Sequence, residues 1–251
     1  MTRELDYTIL DRMGFEHKPV GVKYSMAAPE GVARLERPLA LCELFREAQE
    51  NGPFYAIKED IQCGDQLLGM TEFPPVMYSG ALGPMFSMFK TPGANRRIYD
   101  YVPHLPKDSV TYITHAPTDQ MDYDPDVLIF TCRPNQAEII MRASSYSDGK
   151  MWQFKGTTCL ACAWLYAHPY LSGEINLSIS GMGYSMKARH VLPDGLIFIA
   201  VPFDQLAMLL DNLRDMEWEP DWLTMGREKF VASVGERSAA LYKKLGFERK
   251  A

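Results

Sequence analysis

The chain has 251 residues, of which 47% are hydrophobic and 23% are charged, and its formal net charge is −6. This composition is typical of a globular protein with a substantial core, and the negative charge excludes a general attraction to nucleic acid or to an anionic membrane surface. The first residues are charged and the longest apolar run, 195–202, is too short to cross a bilayer. The sequence therefore predicts a cytoplasmic protein with no membrane span and no nucleic-acid partner.

The N-terminal part of the chain alternates between helical and extended patterns. Apolar residues recur at helical spacing before Gly14 and before Gly52, and glycine commonly follows the last turn of a helix. In chain order we expect a helix over 4–14, a strand over 19–24, a helix over 39–51, a short strand over 53–58, a turn and short helix over 60–69, and a semi-ordered apolar loop over 73–91.

The remainder of the chain adds buried strands and further helices. Runs rich in β-branched and aromatic residues indicate strands, and proline, threonine or aspartate precedes the helical patterns. In chain order we expect a helix over 92–101, strands over 109–114 and 126–132, helices over 134–147 and 159–168, strands over 175–179 and 196–201, and helices over 205–216 and 221–245. These elements predict one mixed α/β domain over 1–251, with a mixed central sheet flanked by helices.

The last part of the chain, 217–251, is predicted to be a C-terminal helical extension of that domain. Residues 215–221 are acidic, whereas residues 227–250 are mostly basic. Such a helix lies on the surface or packs against a partner chain, and the sequence therefore suggests a homo-oligomer formed through it.

Five cysteines offer the strongest chemical signal: Cys42, Cys63, Cys132, Cys159 and Cys162. Their number is odd and the chain is long, which argues against a disulfide framework. Three uses remain, namely ligation of a metal or cluster, thiol chemistry, and packing in the core.

The spacing of Cys159 and Cys162 places both sulfurs on roughly one face if the segment is helical. Cys159 would then lie in the first turn, where free N–H groups and the helix dipole favour the thiolate. The surrounding residues are apolar, so burial in the core explains the pair equally simply.

The other cysteines lie in different settings. Cys63 lies at a turn before Gly64, a setting that suits a bound anion, a cluster or a reactive thiol, and equally a small apolar turn residue. Cys42 lies on a predicted helix, and Cys132 ends a predicted strand, where a core role is expected. A basic segment that includes Arg189 follows a glycine-rich turn and is suited to balance an anionic ligand or a negatively charged cluster.

Several short motifs occur together in an order and spacing that resemble the DUF169 family, over about residues 7–215. The motifs that carry the resemblance are Pro19–Lys23, Cys42 with Ala48 and Gly52, Cys63–Gly64, Leu68–Gly69, Pro125–Val127, Pro134–Ala137, Cys159, the Gly181-x-Gly183 turn with Arg189, and Pro202.

The resemblance implies that Cys42, Cys63 and Cys159 are the cysteines that matter. It also implies a further cysteine near the glycine turn, where this chain has Met182. Three thiolates at one site would suit a [4Fe–4S] cluster with one substrate-accessible iron. The fourth ligand is then Cys162 or a ligand from outside the protein, or it is absent.

In this first hypothesis the chain is a cysteine-ligated iron–sulfur or other metal-binding protein with a redox or ligand-handling role. Arg189 and Lys23 would offset the negative charge of the cluster. The partner would be a small-molecule ligand or a redox partner protein.

Two alternatives remain open from the sequence. The first is a metal-free module in which the apolar loop over 73–91 forms the wall of a small-molecule site. The second is a thiol enzyme with Cys63 or Cys159 as the nucleophile and His115 or His190 as the base.

Overall fold

The computed structural model describes residues 5–179 and 183–247 and divides the chain into two compact units, one up to Arg214 and one from Asp215 onward. Strands of the first unit form a six-stranded and a two-stranded sheet. The strands are β1 (Val20–Ser25), β2 (Leu39–Ala40), β3 (Phe54–Ala56), β4 (Ile61–Cys63), β5 (Tyr112–Pro117), β6 (Val127–Cys132), β7 (Asn176–Ile179) and β8 (Ile197–Pro202).

Helices connect and cover these strands. They are α1 (Leu41–Asn51), α2 (Pro75–Tyr78), α3 (Leu82–Met85), α4 (Pro92–Ile98), α5 (Pro134–Ser145), α6 (His168–Ser172), α7 (Tyr184–Ala188), α8 (Phe203–Asp215) and α9 (Arg227–Leu245). Short 3-10 helices occur at Thr8–Met13, Lys58–Asp60, Asp65–Leu68 and Asp221–Leu223, and a π-helical turn at Ala163–Ala167 leads into α6.

The large sheet has the strand order β3-β5-β1-β6-β8-β7, and its described pairs are antiparallel. Parallel pairing occurs between β2 and β4. The predicted mixed α/β class with a C-terminal helix is therefore confirmed, and the antiparallel and parallel pairs lie in separate sheets.

The strands β6 and β8 are buried on both faces of the sheet. Val127 and Ile129 belong to the core cluster that includes α1, and Phe45 of α1 lies 5.6 Å from Phe198 between ring centroids. Leu128 alternates with them along β6 and is also buried. This burial explains why β6 has a continuous apolar sequence, and it fixes α1 firmly on the sheet.

Two predicted segments differ in the structure. The helix expected over 4–14 is only a 3-10 helix, Thr8–Met13, which ends at Gly14 with a φ of 59°. The loop expected over 73–91 contains the one-turn helices α2 and α3. Pro75 begins α2 and supplies a helical φ at its first position.

The unit from Asp215 onward contains the 3-10 helix Asp221–Leu223 and α9. Within its described residues, none of the side chains on α9 is buried. Among the helices that the structure describes, none is both long and apolar enough to cross a membrane.

Candidate functional site

Cys42 is the second residue of α1 and lies in the first turn of that helix. The strand β2 ends at Ala40 with extended backbone, and α1 begins at the next residue. Glu43 accepts a hydrogen bond from the backbone N–H of Ala40 at 2.8 Å, which fixes the start of the helix. The free N–H groups and the dipole of this turn favour negative charge on the Cys42 sulfur.

Cys63 lies beside the start of α1 because of the small parallel sheet. The register pairs Ala40 with Cys63, so the end of β4 lies next to the residue that precedes α1. Gly64 follows with a φ of 103°, and a Cβ atom at that position would lie 2.7 Å from the Cβ of Leu41. A glycine is therefore required after Cys63 for the two segments to approach this closely.

Cys162 reaches the same place from a third segment. Tyr166, one turn further along, donates a hydrogen bond through its hydroxyl to the carbonyl oxygen of Leu41 at 3.2 Å. The same hydroxyl lies 3.1 Å from Nε2 of His115, and Tyr24 donates to the Tyr166 carbonyl at 3.0 Å. These bonds hold the segment against the N-terminus of α1 and bring the thiols of Cys162 and Cys42 near enough to shift each other's pKa.

The interaction between the two thiols shifts their pKa values in opposite directions. It is the main cause that lowers the pKa of Cys42, and the charge of Arg189 and the hydroxyl of Ser185 act in the same direction against burial and Glu43. The same interaction, followed by burial, raises the pKa of Cys162 well above its ordinary value. The pair therefore favours a deprotonated Cys42 next to a Cys162 thiol that keeps its proton.

Cys63 belongs to the same electrostatic neighbourhood, although its side chain is exposed. The protein atoms around it raise the pKa of Cys63 by desolvation, and the negative charge of Cys42 adds to this effect. Arg189 opposes the rise. Three thiols from three separate segments thus influence one another.

Arg189 follows α7 and links that helix to α1. Its guanidinium lies 3.3 Å from a carboxylate oxygen of Glu43 and donates a second hydrogen bond to the hydroxyl of Ser185 at 3.0 Å. A polar cleft of about 220 Å³ lies beside this pair and is lined in part by Arg46 and His190. Arg189 therefore supplies positive charge near the sulfur of Cys42.

Cys159 does not share this arrangement. Leu160 has a φ of 63°, a left-handed conformation, so the helix starts at Ala161 and not at Cys159 as expected. Burial raises the pKa of Cys159 to about 11. Within the described residues, its charge acts on Tyr99, and no interaction connects it to Cys42.

The other predicted site residues lie elsewhere or are not described. Lys23 forms an ion pair with Asp126 at 3.1 Å, and no described interaction connects it to the three thiols. Cys132 is fully buried in β6, where burial raises the pKa of its thiol, as its predicted core role requires. Met182, where relatives were expected to carry a cysteine, lies outside the described residues.

His115 is buried and neutral. Desolvation lowers the pKa of His115 to about 3, and its Nδ1 atom has no hydrogen-bond partner in the described part of the chain. Because the Tyr166 hydroxyl donates to Leu41, Nε2 of His115 carries the proton that it shares with that hydroxyl. His115 therefore orients Tyr166, and a role as the base of a thiol enzyme is not what its contacts favour.

The chemistry of three thiolates suits a soft metal or a cluster, but their arrangement does not fit a metal ion. Over residues 5–179 and 183–247, no group of three or more His, Cys, Asp or Glu side chains is arranged so that it could hold one. The iron–sulfur interpretation, with Cys42, Cys63 and Cys159 as ligands, stays a prediction.

Ser185 was not predicted from the sequence as a residue of the site. The helix that carries Cys42 begins at Leu41 and not at Leu39 as expected. The pattern that locates Cys42 correctly is Glu43 three residues after Ala40, which marks Ala40 as the residue before the helix.

Comparisons with known proteins identify the family of the chain. The chain belongs to the DUF169 family, described as uncharacterised ArCR, whose family model matches residues 8–212. The chain is also similar to Uncharacterized protein MJ0308 of Methanocaldococcus jannaschii, with 26% identity over 220 residues that cover 84% of this chain and 93% of that protein. No solved structure matches the chain. The family resemblance predicted from the sequence is thereby confirmed.

Proposed function

We propose that the chain is a thiol-dependent redox protein in which Cys42 and Cys162 form the reactive dithiol. The observation that supports this proposal is the position of the Cys162 segment against the start of α1, where Tyr166 bonds to Leu41 and the two thiols shift each other's pKa, that of Cys42 downward and that of Cys162 upward. A nucleophilic thiolate next to a protonated thiol is the arrangement that thiol–disulfide exchange requires.

The proposed reaction reduces a disulfide of a small molecule or a protein partner. The Cys42 thiolate attacks one sulfur of that disulfide, the substrate S–S bond breaks, and the first substrate thiolate leaves. The Cys162 thiol then gives up its proton and attacks Cys42, so that a Cys42–Cys162 disulfide forms and the second substrate thiolate leaves. The substrate gains two electrons, the dithiol loses two, and the Cys162 proton passes to a leaving thiolate.

Ser185 and Arg189 support this chemistry by stabilising the thiolate. The guanidinium of Arg189 and the hydroxyl of Ser185 both lower the pKa of Cys42, and Arg189 donates a hydrogen bond to that hydroxyl at 3.0 Å. The reduced dithiol from which the reaction starts agrees with the predicted cytoplasmic location, where thiols are kept reduced.

The test uses the reduced full chain and 2-hydroxyethyl disulfide as the substrate. We expect two thiols to be released per chain, Cys42→Ser to prevent release of the second thiol, and Cys162→Ser to stop at a mixed disulfide on Cys42. The Cys159→Ser variant is the matched control and is expected to react as the unchanged chain does. Release that continues at the same rate in Cys42→Ser would overturn the proposal.

A second candidate is ligation of an iron–sulfur cluster, the hypothesis first drawn from the sequence. The observation that favours it is that Cys42, Cys63 and Cys162, from three segments, influence one another beside the positive charge of Arg189. Over the described residues they are not arranged to hold a metal ion, so a cluster would have to draw the three sulfurs closer together. Cys162 would then replace Cys159 in the predicted ligand set, and the bound cluster would supply electron transfer.

The cluster hypothesis has its own test. Anaerobic purification followed by iron and sulfide assays is expected to give about four iron atoms per chain if the cluster is present. Loss of iron in Cys162→Ser but not in Cys159→Ser would support the revised ligand set. An iron-free, colourless anaerobic preparation would exclude this candidate and leave the dithiol proposal in place.

We also propose that α9 packs against α9 of a second copy. Its apolar side chains Val231, Val234, Leu241 and Leu245 lie three, seven and four residues apart, with Ser238 at the intervening heptad position, and are 45–60% exposed. That spacing forms the seam of a two-helix coiled coil. Light scattering on the full chain is expected to show a dimer that Leu241→Glu dissociates and Ala240→Glu, on another face of α9, does not. A monomer at all concentrations would contradict this proposal.

A further inference from the structure

The three thiols of the site differ in how easily a large partner can reach them. Cys42 is only 4% exposed and Cys162 is half-buried, whereas Cys63 is exposed. Disulfide exchange requires the attacking sulfur to approach along the axis of the S–S bond, and a folded partner protein cannot bring its disulfide to a sulfur that is buried in this way. A small disulfide has no such restriction.

The backbone holds the exposed thiol next to the buried pair. The register of the parallel sheet pairs Cys63 with Ala40, two residues before Cys42, and the absence of a side chain on Gly64 lets this turn rest on Leu41. Both β2 and β4 are short and lead directly into this corner, so Cys63 has little freedom to move away from the start of α1. The negative charge of Cys42 also acts on Cys63, and that of Cys63 on Cys162.

We propose that Cys63 is the thiol that exchanges with disulfides of partner proteins and passes the oxidation on to the Cys42–Cys162 dithiol. This inference rests on the proposed function and names the residue at which protein substrates react. The substrate class is an exposed disulfide on the surface of a protein.

The transfer proceeds in three exchanges. The Cys63 thiol loses its proton to solvent and attacks the partner disulfide, which releases one partner thiolate and leaves a Cys63–partner disulfide. The Cys42 thiolate attacks Cys63, which releases the second partner thiolate and forms a Cys42–Cys63 disulfide. Cys162 loses its proton and attacks Cys42, which forms the Cys42–Cys162 disulfide and returns Cys63 to the thiolate, which takes up a proton. The partner is reduced by two electrons and the chain is oxidised by two.

The experiment compares a small and a protein disulfide on the same reduced full chain. The probes are 2-hydroxyethyl disulfide and insulin, and the measured quantity is the rate at which each oxidises the chain. We expect Cys63→Ser to lower the rate with insulin by on the order of tenfold more than the rate with 2-hydroxyethyl disulfide. Cys159→Ser is the control and is expected to leave the ratio of the two rates unchanged.

A second variant tests the same inference by trapping. In Cys42→Ser the transfer stops after its first step, so a disulfide between Cys63 and an insulin chain is expected to accumulate and to be found by mass spectrometry. Equal losses with both probes in Cys63→Ser, or insulin trapped on Cys42 in Cys162→Ser with none on Cys63, would overturn the inference. A chain that reacts with 2-hydroxyethyl disulfide but not with insulin also overturns it, whereas a chain that reacts with neither overturns the proposed function itself.

Discussion

The hydroxyl of Tyr166 donates a hydrogen bond to the carbonyl oxygen of Leu41 at 3.2 Å and so joins two segments that are 125 residues apart. Leu41 is the first residue of α1 and precedes Cys42, and Tyr166 lies four residues after Cys162. Cys42 follows one partner of this bond, and Cys162 lies one helical turn before the other. The bond therefore keeps the two cysteines of the dithiol close to each other. His115 supports it from the other side of the hydroxyl, at 3.1 Å.

Removal of this hydroxyl is expected to destabilise the fold. In Tyr166→Phe, the Leu41 carbonyl and the Nε2–H of His115 lose their shared partner while they remain buried, which costs about 1–3 kcal/mol of unfolding free energy. Urea unfolding measures this difference. Tyr170→Phe is the control, because Tyr170 is largely exposed. A change in Tyr166→Phe no larger than that in the control would contradict this role of the bond.

A methyl group at Gly64 is expected to disturb the corner that holds Cys63. Gly64→Ala places a Cβ 2.7 Å from the Cβ of Leu41 at a φ of 103°. We expect this clash and the backbone strain to lower the free energy of unfolding by about 1–3 kcal/mol. Gly156→Ala is the matched control, because nothing lies within 4 Å of a Cβ atom there and its φ is not positive. Thermal unfolding that gives the same stability for both variants would show that the close approach is not needed.

Loss of the positive charge at Arg189 is expected to make Cys42 less reactive. Arg189 lowers the pKa of Cys42, so Arg189→Gln moves the alkylation of Cys42 to higher pH and slows it about threefold near neutral pH. Lys187→Gln provides the control, since Lys187 pairs with Asp194. Site-resolved alkylation by iodoacetamide measures the rate, and equal rates in the two variants would argue against electrostatic support from Arg189.

His115 is expected to make the stability of the fold depend on pH. Burial lowers the pKa of His115 from 6.5 to about 3. Between these two pH values His115 binds a proton in the unfolded chain but not in the folded chain. The contribution of the neutral, buried His115 to the free energy of unfolding is fully present above pH 6.5. It is lost as the pH falls toward 3, at up to about 1.4 kcal/mol per pH unit.

The variant His115→Gln isolates this effect, because glutamine can donate a hydrogen bond to Tyr166 and does not titrate. The buried histidines His17 and His168, whose pKa values are also lowered by burial, contribute equally to both proteins and cancel in the difference. Urea unfolding between pH 4 and pH 7 (about the range in which histidines charge) is expected to show a shallower loss of stability for His115→Gln. Parallel curves would contradict the burial of a neutral His115.

The fold class followed from local patterns, but the site did not. The apolar runs that became β6 and β8 and the periodicity of α1 are visible in the sequence, because each depends on neighbouring residues. The partner of Cys42 depends instead on the parallel register of β2 and β4 and on the bond from Tyr166 to Leu41, which join distant segments.

Cys159 and Cys162 also show that the sequence predicts local structure better than the positions of the site residues. The Cys-x-x-Cys spacing predicts a common face only if both cysteines lie in one helix. The left-handed conformation of Leu160 starts the helix after Cys159, and no sequence pattern favours that conformation for a leucine. The predicted set of Cys42, Cys63 and Cys159 therefore had two members that the structure brings together and one that it does not.

The most direct test of the central claim is to map disulfides after mild oxidation of the reduced full chain. The chain is oxidised with 2-hydroxyethyl disulfide, remaining thiols are blocked, and peptides are identified by mass spectrometry without reduction. The proximity of these two thiols predicts a Cys42–Cys162 disulfide as the main product, with Cys132 and Cys159 blocked as free thiols. A chain in which Cys42 and Cys162 both remain free, or in which Cys42 pairs with Cys159, would contradict the account.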